Sequence, residues 1–257
     1  MKFLSKLILS LIITIPLFAQ GTAGTSAKYE YRKLIDMQSA GILEKGYVAV
    51  TTHELPYGVV DMGLEVGVFE NLSFGISYGG ENIIGDSSIN WYGWPGINIK
   101  YRLINESESA PAIAIGFDSQ GRGREDKELN RFDYKSDGLF VAASKNFNFL
   151  GYLSIHGEVN YSVKNNDGDK NPNLKVGLEK TIGKSVSFLA EYDFALNDNG
   201  ELSFGAGKGY LNFGFRASLG KGLTVGLDMR NMLENKKLNS AVAERGVYLE
   251  YVSPIFQ

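Results

Sequence analysis

The sequence predicts an all-β fold, an antiparallel transmembrane up-and-down β-barrel of about 12 strands, with about 10 to 14 as the range. Three observations predict it. Downstream of Gly46, apolar residues alternate with small or polar ones in segment after segment. The connections between those segments alternate between short and long, as the two ends of a membrane barrel do. The row opposite the apolar one mixes Gly and Ser with ionisable residues of both signs, the content of a narrow lumen rather than of a dry core.

The chain opens with Lys2 and Lys6, an apolar run from Leu7 to Phe18 and small residues from Ala19 onward. That order reads as a secretory signal peptide over residues 1–19, and the run is too short for a spanning helix. Residues 20–46 follow as an N-terminal periplasmic segment or short helix. Tyr29, Tyr31, Leu34, Ile35 and Met37 meet helical spacing only in part, so a plug entering the lumen and an ordered tether both stay open.

The barrel occupies residues 47–257. Its strands are predicted at about 47–54, 59–69, 72–80, 96–104, 111–118, 138–147, 151–163, 173–182, 185–195, 208–219, 222–231 and 245–254. The clearest is the seventh, where Leu153, Ile155, Val159, Tyr161 and Val163 oppose Ser154, His156, Glu158, Asn160 and Ser162. In the second, Val60, Met62, Leu64, Val66 and Val68 oppose Asp61, Gly63, Glu65 and Gly67. A further strand over Glu201 to Gly207 is rejected, since it would carry the long connection before Glu244 to the wrong end. Tyr47, Phe69, Tyr78, Tyr101, Phe147, Tyr161, Phe194 and Tyr251 fall near strand ends, where an aromatic girdle belongs. Phe256 is penultimate, but Val247, Leu249, Tyr251 and Ile255 form the better lipid-facing row. A soluble sheet would show the same alternation; loop lengths and the charged inner row decide against it.

Several short stretches look like a known family. They are Gly41-Ile42-Leu43 with Gly46-Tyr47, Gly63 to Phe69, Pro95 to Arg102, Ala110 to Gly116 and Ala142-Ala143-Ser144-Lys145. Over about residues 42–147 this series resembles the YjbH-like outer-membrane β-barrel family, which is associated with exopolysaccharide production and export. The resemblance implies a bacterial outer-membrane location and a link to polysaccharide, and it carries no catalytic residue.

The candidate site residues form a polar ladder in the lumen: Ser154, His156, Glu158, Glu191, Asp193, Arg216, Asp228 and Arg230. Ser154, His156 and Glu158 have the residue types of a hydrolytic relay, as in a lipid deacylase. Neighbours two apart on a strand stand about 6.5–7 Å apart and point in parallel, which suits a ladder better than a relay. A loop bearing Trp91, Tyr92 and Trp94 offers rings for stacking on sugars, or for an interfacial belt. Acids at Asp118, Asp167, Asp169, Glu191, Asp193 and Asp198 could draw Ca²⁺ to the rim, but match no defined calcium loop. With two His, no Cys and a net charge of −3, no metal site, no cofactor and no nucleic-acid partner is expected. The expected partners are outer-membrane lipid, the outer-membrane assembly machinery and polysaccharide. An accessory role in the envelope ranks first, a passive small-solute pore second and an outer-membrane lipid hydrolase third.

Overall fold

The computed structural model describes residues 21–237 and 243–255; the predicted signal peptide and Phe256 lie outside them. The strands are β1 (Tyr47–Leu55), β2 (Val59–Phe69), β3 (Leu72–Glu81), β4 (Asn90–Trp91), β5 (Gly96–Ile104), β6 (Ala112–Asp118), β7 (Arg122–Asp126), β8 (Arg131–Tyr134), β9 (Gly138–Asn148), β10 (Tyr152–Tyr161), β11 (Asn173–Ile182), β12 (Val186–Asp193), β13 (Tyr210–Gly220), β14 (Leu223–Arg230) and β15 (Glu244–Pro254). Every pairing is antiparallel; β4 adds only to β3, β7 and β8 pair with each other, and the other twelve strands form a ring that β1 closes by pairing with both β2 and β15. The result is a closed 12-stranded barrel. Closure removes the sheet edges, so every strand has two partners for its backbone groups.

Each of the twelve predicted segments overlaps one barrel strand. No boundary differs by more than two residues; β10, for one, stops at Tyr161, where a bulge against β9 shifts the register at Asn160 and Tyr161 and releases Ser162 and Val163. Tight turns join the strands at one end. In the β13–β14 turn, Lys221 and Gly222 both take positive φ, 52° and 85°, the backbone that matches the twist of paired strands. The longer connections gather at the opposite end.

Alternation sorts the residues as the periodicity requires. Met62, Leu64, Ile155, Val159, Leu227 and Leu249 point outward and stay exposed, at 53, 42, 51, 53, 62 and 43 %. So large an apolar belt has no place in water. Phe69, Tyr78, Tyr101, Phe147, Tyr161, Phe194 and Tyr251 also lie on this outer surface. Tyr47 does not: it shares the inward row with Ala49 and meets Tyr29 edge-on at 5.7 Å. The inner rows are buried although mostly polar, and what buries them is the chain's own N-terminal segment.

Candidate pore and its plug

No helix forms over residues 21–46, contrary to the short-helix reading. The segment threads the barrel interior instead, because its hydrogen-bonding groups find partners on the wall rather than four residues along the chain. Near the tight turns, Thr22 N–H donates to Thr224 Oγ1 (3.0 Å), Ala23 N–H to Ser218 Oγ (2.9 Å) and Gly24 N–H to Ser187 Oγ (2.9 Å). Small hydroxyl residues on β12, β13 and β14 therefore act as rungs for an extended backbone.

The plug tip is a tight bend. Leu34 N–H donates to Met37 O (2.9 Å), and Lys33 bridges to Gln38. At the bend, the N–H groups of Ile35, Asp36 and Met37 converge on the Glu191 carboxylate at 3.0, 2.9 and 3.1 Å. Three successive backbone donors form a concave anion site, here filled by a wall carboxylate. Asn212 Nδ2 donates to the same carboxylate at 2.9 Å.

Side-chain charges then cross-link plug and wall in alternating sign. One series runs Arg216–Asp228 (2.5 Å), Asp228–Arg230 (3.3 Å), Arg230–Asp36 (2.8 Å), Asp36–Arg122 (3.6 Å) and Arg122–Asp61 (3.4 Å). It spans the lumen from β13 and β14 to β2 through one plug aspartate. Arg32 makes a second crossing, to Glu65 of β2 (2.8 Å) and Glu250 of β15 (2.9 Å). A third joins Asp118 to Lys33 (2.5 Å), then Asp137, Lys175 and Glu158. Buried charges persist only when paired and hydrogen-bonded, and these are.

The plug also buries an apolar face. Leu34, Ile35 and Met37 cluster with Tyr31, Ala23 and Leu189 of β12. Inward glycines receive these side chains: a Cβ on Gly177 would lie 2.5 Å from Leu34 Cδ1, and one on Gly214 would lie 3.2 Å from Ile35 Cγ1, beside the wall's own Asp228 Oδ1 at 2.9 Å. The two glycines are sockets for the plug.

Ser154, His156 and Glu158 all face inward and are buried, yet each has its own partner. Ser154 Oγ donates to Asn146 Oδ1, His156 Nδ1 meets Ser144 Oγ at 2.8 Å, and Glu158 accepts Gln38 N–H at 2.6 Å. Ser144 Oγ also accepts Ala40 N–H (2.8 Å), which ties His156 through Ser144 to the plug. His156 Nε2 has no protein partner, so no acid orients the ring as a relay requires. The sequence had offered Ser154 as the neighbour of His156; the cross-strand register puts Ser144 there. Glu191, Arg216, Asp228 and Arg230 are all buried around the plug. Asp193 is only half-buried, and it accepts Asn173 Nδ2 and Ala195 N–H, both at 2.7 Å, to hold its own turn.

The Trp91, Tyr92 and Trp94 trio is corrected by the structure. Trp91 and Trp94 are exposed, and Trp91 stacks on Tyr78 at 5.8 Å. Tyr92 turns inward instead, where it packs edge-on against Phe132 (5.0 Å) and donates to Gly123 O (2.8 Å). Pairing of β4 with β3 sets this alternation, so the three rings never share a face.

Sequence reasoning took residues 119–137 as one long loop and missed the β7–β8 hairpin within it. The hairpin folds over the mouth, with Arg131 and Phe132 buried. Arg131 bonds Asp167 (2.6 Å) and Asp198 (2.5 Å), and Lys135 bonds Asp167 (2.7 Å). Burial acts to raise the Asp167 carboxyl, but the Lys135 ammonium, Asp169 N–H and the Ser203 hydroxyl outweigh it and hold it below the usual carboxylate range. Of the acids read as cation ligands, Asp118, Asp167 and Asp198 are thus paired with basic side chains, while Asp169, Glu191 and Asp193 accept from backbone and side-chain amides. Among the described residues no cluster of three or more metal-binding groups occurs.

The closed barrel, the polar lumen and the apolar outer belt define a protein of porin-like fold with an internal plug. No family model matches the chain, and no curated protein does. Among solved structures it is similar to a KdgM porin, over 80 % of this chain and 98 % of that one, at 11 % identity and a TM-score of 0.51.

Proposed function

We propose that this chain is an outer-membrane pore for small polar solutes whose lumen is narrowed by its own N-terminal segment. The apolar belt meets outer-membrane lipid, and insertion falls to the outer-membrane assembly machinery. One observation carries the reading: the ion series from Arg216 to Asp61 crosses the lumen through plug residue Asp36. The likeness to a porin supports a pore role, and no catalytic step is needed. Planar-bilayer recording of the full chain tests it. A small steady conductance is expected, rising several-fold when the plug is displaced. Absence of current in both states would overturn the pore.

An accessory role at a polysaccharide-bearing surface is the second reading, favoured by Trp91 and Trp94, which lie exposed beside the longer connections. Loss of binding to envelope polysaccharide in a Trp91→Ala/Trp94→Ala variant would support it.

A further inference from the structure

The plug does not fill the lumen evenly. On the wall built from β12 to β14, the inward side chains Ser187, Leu189, Glu191, Arg216, Asp228 and Arg230 are buried against it or against one another. On the opposite wall, cross-strand register sets Thr51, Gly63, Ser77 and Gly96 side by side across β1, β2, β3 and β5. All four inward positions are small, and Thr51, Gly63 and Ser77 stay partly open. A cavity of about 90 Å³ lies between this sector and the plug.

The chemistry of its lining is unusual for a protein interior. Tyr31 Oη, Gln38 Oε1, His53 Nδ1, Glu65 Oε1, Arg122 Nε and Glu250 Oε2 are buried polar atoms without protein hydrogen-bond partners, and all six residues line this one cavity. Unpaired buried polar atoms are costly, so a cluster of them marks a place where water or an ion supplies the missing bonds. One water needs roughly 10–15 Å³ of such space, so the cavity holds several waters or a small hydrated ion. A second cavity of about 290 Å³ opens toward the tight turns. It lies against β6, β9, β10 and β11 rather than β1 and β2, and Tyr31 of the plug borders both cavities.

We propose that solute crosses this barrel beside the seated plug, along a lane that starts against the β1–β2–β3–β5 wall and passes Tyr31 to the cavity beside β6, β9, β10 and β11, and that the lane takes water and small inorganic ions. Four cationic side chains, Arg32, Lys33, Lys100 and Arg122, and four anionic ones, Asp61, Glu65, Asp118 and Glu250, line it and largely pair with one another, so the lining is balanced in charge and favours neither cations nor anions. The lane rests on the pore reading above and names the route that pore uses.

The chain has no cysteine, so single thiols can be placed without background. Ser77→Cys sits on the lane, and Ser187→Cys sits under the plug, where the native Ser187 is fully buried. Each full-length variant, reconstituted in liposomes, is treated with a small cationic methanethiosulfonate reagent. The same is done in a Gly177→Leu/Gly214→Leu background that displaces the plug, with folding checked by heat-modified gel mobility. The lane requires Ser77→Cys to react at least ten-fold faster than Ser187→Cys while the plug is seated, and the two rates to converge once it is displaced. Protection of Ser77→Cys with the plug seated, and reaction after displacement, would overturn the lane but leave the pore. Equal reaction of both thiols with the plug seated would overturn the lane as well. Protection of both thiols in both backgrounds would overturn lane and pore together.

Discussion

Arg230 grips Asp36 through two parallel bonds, Nε to Oδ2 at 2.8 Å and Nη2 to Oδ1 at 3.0 Å, and so ties β14 to the tip of the plug. The fork geometry matches guanidinium to carboxylate and fixes the angle of the bend as well as its position. Glu191 approaches the same bend from β12 and takes its backbone donors. Two adjoining regions of wall thus hold three consecutive plug residues by different chemistry.

Breaking this pair should loosen the plug without opening the barrel. Arg230→Met strands Asp36 with only the longer contact to Arg122 at 3.6 Å, and Asp36→Asn leaves Arg230 its bond to Asp228 at 3.3 Å. Arg230→Met is therefore expected to be the more damaging, at about 3–5 kcal/mol for an uncompensated buried charge. The double variant should cost less than the sum of the singles. The rate of proteolytic cleavage within the plug in detergent-held protein measures all three.

Glu191→Ala should expose the bend to exchange. It leaves the N–H groups of Ile35, Asp36 and Met37 without their acceptor, each worth about 1–3 kcal/mol when buried and unmet. Hydrogen exchange at these amides is expected to accelerate by at least ten-fold, the equivalent of about 1.4 kcal/mol. Glu191→Gln keeps one acceptor oxygen and should fall between. An unchanged rate in Glu191→Ala would show that the three donors do not depend on this carboxylate.

Filling the sockets should displace the plug, by sterics at Gly177 and, at Gly214, by collision with both Ile35 and the Arg216–Asp228 pair. A leucine at Gly177 meets Leu34 and one at Gly214 meets Ile35, in a barrel whose backbone cannot yield without breaking its strand pairing. The Gly177→Leu/Gly214→Leu variant is expected to raise single-channel conductance several-fold while heat-modified gel mobility remains that of a folded barrel. Conductance equal to that of the unaltered chain would mean the plug does not limit flow.

Much of the barrel was legible because a strand records its surroundings every second residue. Val60 to Val68 and Leu153 to Tyr161 announce an oily side and a polar side whatever lies far away. The plug was not legible in the same way. Gln38 bonds Glu158 across 120 positions and Arg32 bonds Glu250 across 218, and a bend with no periodicity gives no local sign of either contact. Glycines at 177 and 214 look like ordinary strand glycines until Leu34 and Ile35 are seen against them. Residues such as Glu191 and Arg230 could be placed on the lumen side, but their partner there is a segment whose spacing suggested a partial helix. Tyr92 was misread because only the pairing of β4 with β3 decides which of its neighbouring rings turns inward.

Acid should loosen the loop cap at the mouth through Asp167. Its carboxyl is held below the usual range in the folded protein, so the folded state binds its proton less readily than the unfolded chain does. The resulting stabilisation is complete above the unfolded value, near pH 4, and is lost as pH falls through the lower folded value. Between pH 7 and about pH 5 the cap should not change. Below about pH 4 the bonds from Arg131, Lys135 and Ser203 to Asp167 weaken, and the Asp169 amide, which donates to Asp167 at 3.1 Å, should exchange faster relative to the intrinsic rate of an unprotected amide at the same pH. Asp167→Asn is expected to show the faster exchange already at pH 7 and to lose most of the acid response. Hydrogen exchange of the Asp169 amide followed from pH 7 to pH 3 checks this, and a variant that kept the full acid response would assign the transition to a different carboxylate.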